Sequence, residues 1–225
     1  MTKRFGFTLA EVLITLGIIG VVAAMTIPTL ISNTNGAQFK TAYKKALSTL
    51  NQAVLMNIAM DDTDFSGLKE DAAGSTPAGS MSELLNARVQ IGSELTDTYF
   101  SAATLGEGVT SLKLGNTEED CTGVDTPVTG CTADGTYDAS KTYSATTAKI
   151  WSLADGTSFG YLLTAKDCTA AAPCYGFIDV NGTAGPNKET TSSASADIQD
   201  IFPVIFHGQT LEPATNAARE VLFGK

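Results

Sequence analysis

The chain has 225 residues, 43% of them hydrophobic, and a formal net charge of −10. This length is enough for one domain of ordinary size with an appended element, and the acidic balance argues against nucleic-acid binding, which needs clustered Lys and Arg. The single histidine excludes a multi-histidine metal site and makes a histidine-based catalytic triad a poor fit.

The first element is an apolar run over residues 7–31, in which Glu11 is the one charged residue. As a helix this run would extend about 37 Å, which exceeds the hydrocarbon core of a bilayer at about 30 Å. The preceding Lys3 and Arg4 predict that the N-terminal end stays in the cytoplasm. A secretory signal peptide is the poorer alternative, because the run is long and no A-x-A cleavage site follows it before residue 32.

Glu11 needs a partner, since a carboxylate within an apolar membrane segment costs several kcal/mol when it is unpaired. The apolar run itself contains no basic residue. We therefore expect the partner to be another chain or a terminal amine. The alternative is an acid that is tolerated near the membrane interface.

The sequence GFTLAEVL at residues 6–13, behind two basic residues and ahead of the apolar run, resembles the cleavage and methylation motif of type IV prepilins and pseudopilins. The resemblance implies that a prepilin peptidase cuts between Gly6 and Phe7 and that the new Phe7 amine is methylated. It also implies that Glu11 neutralises the N-terminal amine of a neighbouring subunit during filament assembly.

Gly17, Gly20 and Pro28 interrupt the apolar run, and each weakens an isolated helix. A membrane helix tolerates such residues, which is one interpretation of the pattern. In pilins a proline at the matching place marks a segment that can lose helical order in the filament. By that resemblance, Gly20 and Pro28 are expected to bound a helix break in the assembled state.

Residues 32–60 continue the helix in amphipathic form, because apolar residues recur there at spacings of three and four from Phe39 to Ile58. We predict one helix from about residue 8 to residue 60, membrane-spanning in its first half and packed on a head domain in its second. Turn-forming residues at 60–67 end it. A coiled-coil stalk is the alternative, but the apolar stripe is short for sustained heptads.

The head, residues 61–225, begins with a predicted short helix over residues 80–90, capped by Ser80 or Ser82. Residues 101–147 are rich in Gly, Thr, Ser and Asp, and predict loops with a few weak strands.

A β-hairpin is predicted next, with Asp155 and Gly156 in a type I′ turn between apolar runs. Residues 174–180 and 201–208 predict two further strands, and Pro203 predicts that the second of these is an edge or irregular strand. The predicted fold class is α+β: a long N-terminal helix packed on a small antiparallel β-sheet head, as in pilins.

The cysteines form two local pairs in the sequence, Cys121 with Cys131 and Cys168 with Cys174. An exported domain lies in an oxidising compartment, which favours disulfides. Sequential pairing is one of three connectivities, and we favour it because it closes short local loops. Neither pair has the C-x-x-C spacing of redox catalysts or the usual spacing of zinc ligands.

The segment FIDVNGTAGPNKE at residues 177–189 contains hard oxygen ligands of the kind that calcium prefers. It resembles the C-terminal loop of pseudopilins and related pilins, some of which bind calcium there, and by that resemblance Asp179, Asn181, Asn187 and Asp200 are the candidate ligands. The serine-rich insert at residues 190–197 lengthens the loop and could misplace Asp200. The alternative is a solvated turn whose Asp and Asn side chains bond only the backbone.

The leading functional interpretation is a pilin-like structural subunit rather than an enzyme, with calcium as the one candidate cofactor. Its expected partners are the inner membrane before assembly, prepilin peptidase, and copies of itself or related pilins in a helical filament. The filament would be extracellular or periplasmic. A type II secretion pseudopilin, an exported hydrolase on a prepilin-type anchor and a DNA-capturing minor pilin are the alternatives, and the acidic head argues against the last.

Overall fold

A computed structural model describes residues 8–115, 141–195 and 197–224. Helix α1 runs from Leu9 to Asp61, so the predicted long helix is confirmed. Thr8 is its N-cap, since the Thr8 side chain accepts a hydrogen bond from the Glu11 N–H. Asp62 is its C-cap and adopts the left-handed conformation. Pro28 lies within this continuous helix, so the loss of helical order in a filament stays a prediction.

The other helices are short, and the strands are four to seven residues long. The helices are α2 (Met81–Arg88), α3 (Thr96–Tyr99), α4 (Ala102–Leu105) and α5 (Asn216–Phe223), with a 3₁₀ turn at Phe65–Gly67. The strands are β1 (Ile91–Glu94), β2 (Ser111–Leu114), β3 (Lys141–Ser144), β4 (Ala148–Leu153), β5 (Ser158–Leu162), β6 (Cys174–Asp179), β7 (Ile201–His207) and β8 (Thr210–Pro213). The predicted short helix is α2, and Ser80 is its N-cap.

Six strands form an antiparallel sheet in the order β1-β4-β5-β6-β7-β8, and β2 pairs with β3 in a separate ribbon. The second half of α1 covers one face of the six-stranded sheet, where Tyr43 stacks on Phe202 with ring centroids 4.1 Å apart. A second cluster, which includes Tyr99, Tyr143 and Phe177, fills the opposite face. The predicted α+β arrangement of a long helix on an antiparallel head is therefore confirmed.

The predicted hairpin is β4–β5, but its turn is not of type I′. The Gly156 N–H bonds the Leu153 carbonyl at 3.1 Å, and Gly156 has a φ of 89° while Asp155 does not have a positive φ. Type I′ needs positive φ at both central residues, whereas here the hydrogen-bonded turn has Ala154 and Asp155 at its centre, neither with positive φ, and Gly156 follows in the left-handed region.

The edge prediction for Pro203 is wrong, because β7 lies between β6 and β8. The Pro203 carbonyl accepts from the Ala214 N–H at 2.9 Å, just past the end of β8. In a strand the N–H and C=O of one residue point to the same side. The missing N–H of Pro203 therefore falls beyond the β8 ladder and interrupts no bond between β6 and β7.

Cys168 and Cys174 form a disulfide, which confirms the predicted pairing of these two residues. It closes the connection between β5 and β6 at the end of the head where α1 terminates, since the Cys168 N–H bonds the Phe65 carbonyl. Cys121 and Cys131 lie outside the described residues.

Two contacts fix how the head lies along α1. Asn51 exchanges hydrogen bonds with the backbone of Leu211 at 2.8 and 2.9 Å, which ties β8 to the middle of the packed half of the helix. Nearer the apolar first half of the helix, Gly36 is buried against Ser195, whose carbonyl oxygen occupies the space that a Cβ on Gly36 would need. The β6–β7 loop therefore rests directly on the backbone of α1.

A buried ion pair holds the segment before α2 against the sheet. Lys149, on β4, is 1% exposed, and its Nζ lies 3.2 Å from Asp71 Oδ1. The same ammonium group donates to the carbonyl oxygens of Ala72, at 3.1 Å, and Ser75. Its donors are thus distributed over one carboxylate and two backbone acceptors.

The carboxylate of this pair is held in its charged form. Burial opposes the ionisation of Asp71, but donors from Tyr161 (2.6 Å) and the Ser82 N–H (3.0 Å), together with Lys149, keep its pKa below the usual value. The pair is therefore expected to stabilise the head only while both partners are present.

Lys149→Met is expected to lower the free energy of unfolding by about 3–5 kcal/mol, because it leaves a buried carboxylate without its cation. The measurement is chemical denaturation of the full chain in detergent micelles. Lys166→Met is the matched control, since Lys166 pairs with Glu70 at 2.7 Å on the surface, where such a pair contributes about 0–1 kcal/mol. Equal effects of the two substitutions would contradict the prediction.

Candidate functional site

The start of α1 holds the first candidate site. The Glu11 side chain turns back over the helix N-terminus, where its Oε2 accepts from the Thr8 N–H at 2.7 Å and the Thr8 hydroxyl at 2.8 Å. The partial positive charge at a helix N-terminus favours a carboxylate there. Gly6 and Phe7, the predicted processing residues, lie outside the described residues.

The apolar half of α1 that follows Glu11 is not packed against any other element in the described part of the chain. One described helix, α1, is long and apolar enough to cross a membrane by length and composition, with a mean hydropathy of 2.2 over its most apolar window. None of that window is buried, and side chains such as Leu9, Ile18 and Met25 are largely exposed. The first half of α1 therefore requires an apolar environment that the head does not provide.

The β6–β7 loop and the strand ends beside it form the second candidate site. Asp179, the last residue of β6, is fully buried on the face of the sheet opposite α1. Its carboxylate accepts from the Tyr99 hydroxyl at 2.5 Å and from the Asn181 N–H at 3.1 Å. Burial, reinforced by the charge of Asp200, raises the pKa of Asp179 to about 8 despite these donors.

Asp200 lies beside it, immediately before β7, and is also buried. Its two carboxylate oxygens accept from the N–H groups of Lys188, at 2.8 Å, and Asn187, at 2.7 Å. Burial raises the pKa of Asp200, and these N–H groups and the Asn181 side chain oppose the rise. Two carboxyl groups with raised pKa values thus share one end of the sheet.

The serine-rich insert does not displace Asp200. The Thr190 hydroxyl donates to the Gln199 carbonyl at 2.8 Å and accepts from the Gln199 N–H at 3.1 Å, so the two ends of the insert are held together. Between these two ends Ser195 reaches α1 at Gly36, and the backbone N–H groups of Asn187 and Lys188 still bond Asp200.

Three oxygen atoms at this end of the sheet are buried without a hydrogen-bond donor: Ser158 Oγ, Asn181 Oδ1 and Asn187 Oδ1. Ser158 is the register partner of Asp179 across β5 and β6. A Cβ added to Gly182 would lie 3.5 Å from Ser158 Oγ, which places the serine against the loop. Buried oxygen atoms normally accept a hydrogen bond, so the presence of three without a donor at one end of the sheet needs an explanation.

A hard cation fits this donor set better than a transition metal does. Calcium binds six to eight oxygens, including neutral amide and hydroxyl oxygens, and the site offers two carboxylates and three unpartnered oxygens. Across residues 8–115, 141–195 and 197–224, no group of three or more His, Cys, Asp or Glu side chains could hold a metal. The candidate atoms beside Asp179 and Asp200 are all oxygens, so they do not include the nitrogen and sulfur ligands that zinc prefers.

All four candidate ligands lie in one hydrogen-bonded cluster. Two further residues of this cluster were not predicted from the sequence. Asn187 belongs to the cluster through its backbone N–H, which donates to Asp200, while its side-chain amide donates to the Thr104 carbonyl at 2.8 Å. Tyr99 and Ser158 are the additions. Ser158 follows the predicted turn, yet its role depends on the β5–β6 register, and Tyr99 lies on a one-turn helix that carries no sequence signal.

Comparison with known families identifies one segment of the chain. The family model described as the prokaryotic N-terminal methylation motif matches residues 1–27, and this motif is the signature of type IV prepilins and pseudopilins. It covers the residues before the apolar run and most of that run, and it does not extend to the head. No curated protein and no solved structure matches the chain.

Proposed function

We propose that this protein is a pilin-like structural subunit that is cleaved after Gly6, anchored in the inner membrane and polymerised into a type IV pilus or a related filament. The observation that carries the proposal is the prepilin signature at residues 1–27, continuous with a helix whose first half is fully exposed and apolar. A motif of this kind together with such a helix supports a type IV pilin-like or pseudopilin-like protein. Adhesion, motility and secretion are the roles that such filaments serve.

The proposal divides the chain by task. Residues 1–6 are the leader that prepilin peptidase removes, and residues 7–31 anchor the subunit and later pack in the filament. Residues 32–60 connect this segment to the head, residues 61–225, which is exported across the inner membrane. After assembly the head would lie on the surface of an extracellular or periplasmic filament.

The geometry of Glu11 suits an exchange of partners during assembly. In the isolated chain both hydrogen bonds from Thr8 go to Oε2. Oε1 is then available to accept from the Phe7 amine of a neighbouring subunit. A charge-assisted bond of this kind is stronger than a neutral one, and stronger still where lipid excludes water.

The histidine and the described cysteines, which are the side chains most often used in catalysis, have structural partners here. His207 lies 3.3 Å from Glu212 across the β7–β8 ladder, and Cys168 and Cys174 are joined in a disulfide. We therefore propose that the protein acts by assembly rather than by catalysis.

We further propose that the site formed by Asp179, Asn181, Asn187, Asp200 and Ser158 binds calcium. The two carboxylates would supply the charge, and the three unpartnered oxygens would supply neutral ligands. A bound cation would also offset the repulsion and desolvation that raise the pKa values of both acids.

The same site favours a second candidate within this class, a type II secretion pseudopilin. The resemblance of residues 177–189 to the C-terminal loop of pseudopilins points toward it, and the two candidates share the processing motif and the helix. They differ in where the filament lies, which is periplasmic for a pseudopilin.

Glu11→Lys is expected to abolish filament assembly, because it places a cation where the neighbouring amine must bind. The measurement is electron microscopy of sheared filaments, with mass spectrometry to identify the subunit and to establish whether the leader was removed. Glu107→Lys is the control, since Glu107 lies on an exposed turn of the head. Filaments in normal number from the Glu11 variant would overturn the proposal.

Millimolar calcium is expected to raise the melting temperature of the full chain, and a tenfold excess over Kd would add about 1.4 kcal/mol to the stability of the folded state. Asp200→Asn should remove this response. Asp197→Asn should keep it, because Asp197 is an exposed acid three residues away in the same loop. A chain that shows no shift, or variants that respond alike, would refute the calcium site.

A further inference from the structure

The last turn of α5 presents an unexplained aromatic side chain. Phe223 is 71% exposed, although the residues that precede it on the same helix, Ala217, Ala218 and Val221, are buried. Because single exposed apolar side chains are common on protein surfaces, the exposure of Phe223 alone does not imply a partner. Its position relative to α1 is what indicates one.

Two fixed points show that the chain descends along α1 toward the membrane half as it approaches Phe223. Leu211 is bound to Asn51, as described above. Glu220 is bound to Ser193 at 2.7 Å, and two residues further along that loop the Ser195 carbonyl rests on Gly36. Between Leu211 and Glu220 the chain thus passes from the level of Asn51 to the neighbourhood of Gly36.

The level of Gly36 corresponds to the surface of the bilayer if residues 9–31 span it. Gly36 lies five residues beyond Ile31, which is about 7.5 Å along the helix. The headgroup region adds roughly 5–8 Å to each side of the hydrocarbon core. Phe223 lies three residues beyond Glu220 on α5, and we infer that the descent from Leu211 to Glu220 continues along this helix and brings Phe223 to that layer.

We propose that Phe223 inserts into the headgroup region of the bilayer and seats the head on the membrane surface before the subunit enters a filament. Aromatic side chains are favoured at this depth, where an apolar ring meets polar headgroups. The inference rests on the proposed membrane insertion of α1 and adds a second, shallow contact to it.

Charges of both signs lie near the ring. Lys40 and Lys44 lie one and two turns above Gly36 on α1, and Arg219 lies one turn before Phe223, while Glu220 and Asp197 are exposed near the same level. These groups of opposite sign leave little net charge to attract anionic lipid. The ring therefore supplies the attraction, and binding is expected in neutral phosphatidylcholine vesicles as well as in vesicles that contain phosphatidylglycerol.

Tryptophan fluorescence in vesicles tests the proposal on the full chain. In a Trp151→Phe background, which removes the one native tryptophan, single tryptophans are introduced as Phe223→Trp, Leu16→Trp and Met60→Trp. Leu16 lies within the apolar half of α1, and Met60 is exposed at the far end of the helix. The lipids carry bromine atoms either near the headgroup or near the ends of the acyl chains.

The Phe223→Trp chain should shift its emission to shorter wavelength and lose fluorescence to bromines near the headgroup. Leu16→Trp should be quenched by the deep bromines, and Met60→Trp by neither. Quenching at residue 16 without quenching at residue 223 overturns the membrane seat alone, whereas no quenching at residue 16 refutes the membrane anchor itself. A blue shift at residue 223 that is insensitive to brominated lipid would show that a second copy covers the ring, which also overturns the proposal.

Discussion

The two halves of α1 make opposite demands on their surroundings, and the rest of the structure follows from that constraint. Residues 9–31 expose apolar side chains around the whole circumference of the helix, while the second half buries one face against the sheet through Tyr43, Leu47 and Leu50. Helical hydrogen bonding continues through both halves. The exposed apolar half is therefore joined to the head by continuous helix, with Pro28 as the one residue inside it that has no backbone N–H to donate.

The head meets this constraint by using the two faces of its sheet differently. The face toward α1 is dry and aromatic, with Phe202, Val204 and Phe206 alternating along β7 into the helix. The opposite face carries polar groups at its end, where Asp179 and Asp200 are held by N–H and hydroxyl donors. The β6–β7 loop touches both sides, because Asn187 contacts Asp200 and Ser195 rests on Gly36. The geometry of the candidate calcium site and the packing against α1 therefore both depend on one segment, the β6–β7 loop.

Strong local signals predicted much of this fold. Apolar periodicity predicted α1 to within a residue, and Ser80 marked the start of α2. The hairpin and the strands β6 and β7 were also predicted, but the interior position of Pro203 was not, because it depends on where β8 ends. At the candidate site the two acids and two amides were named from the loop. Tyr99 could not be, since it arrives from a distant one-turn helix whose position only tertiary packing determines.

Acidic side chains are accommodated differently in the apolar half of α1 and in the head. The acid that lies in the apolar half, Glu11, is placed at a helix N-terminus, where the backbone itself favours negative charge. In the head, by contrast, a buried acid needs a cation or a proton: Asp71 has Lys149, whereas Asp179 has no ammonium group bonded to it among the described residues and its pKa rises to about 8. Asp71 is the less deeply buried of the two, and donors from Tyr161, Ser82 and Ala72 hold its charge together with Lys149. The Lys149–Asp71 pair thus holds its loop from within the chain, whereas the loop around Asp179 and Asp200 is the one for which we propose an external cation.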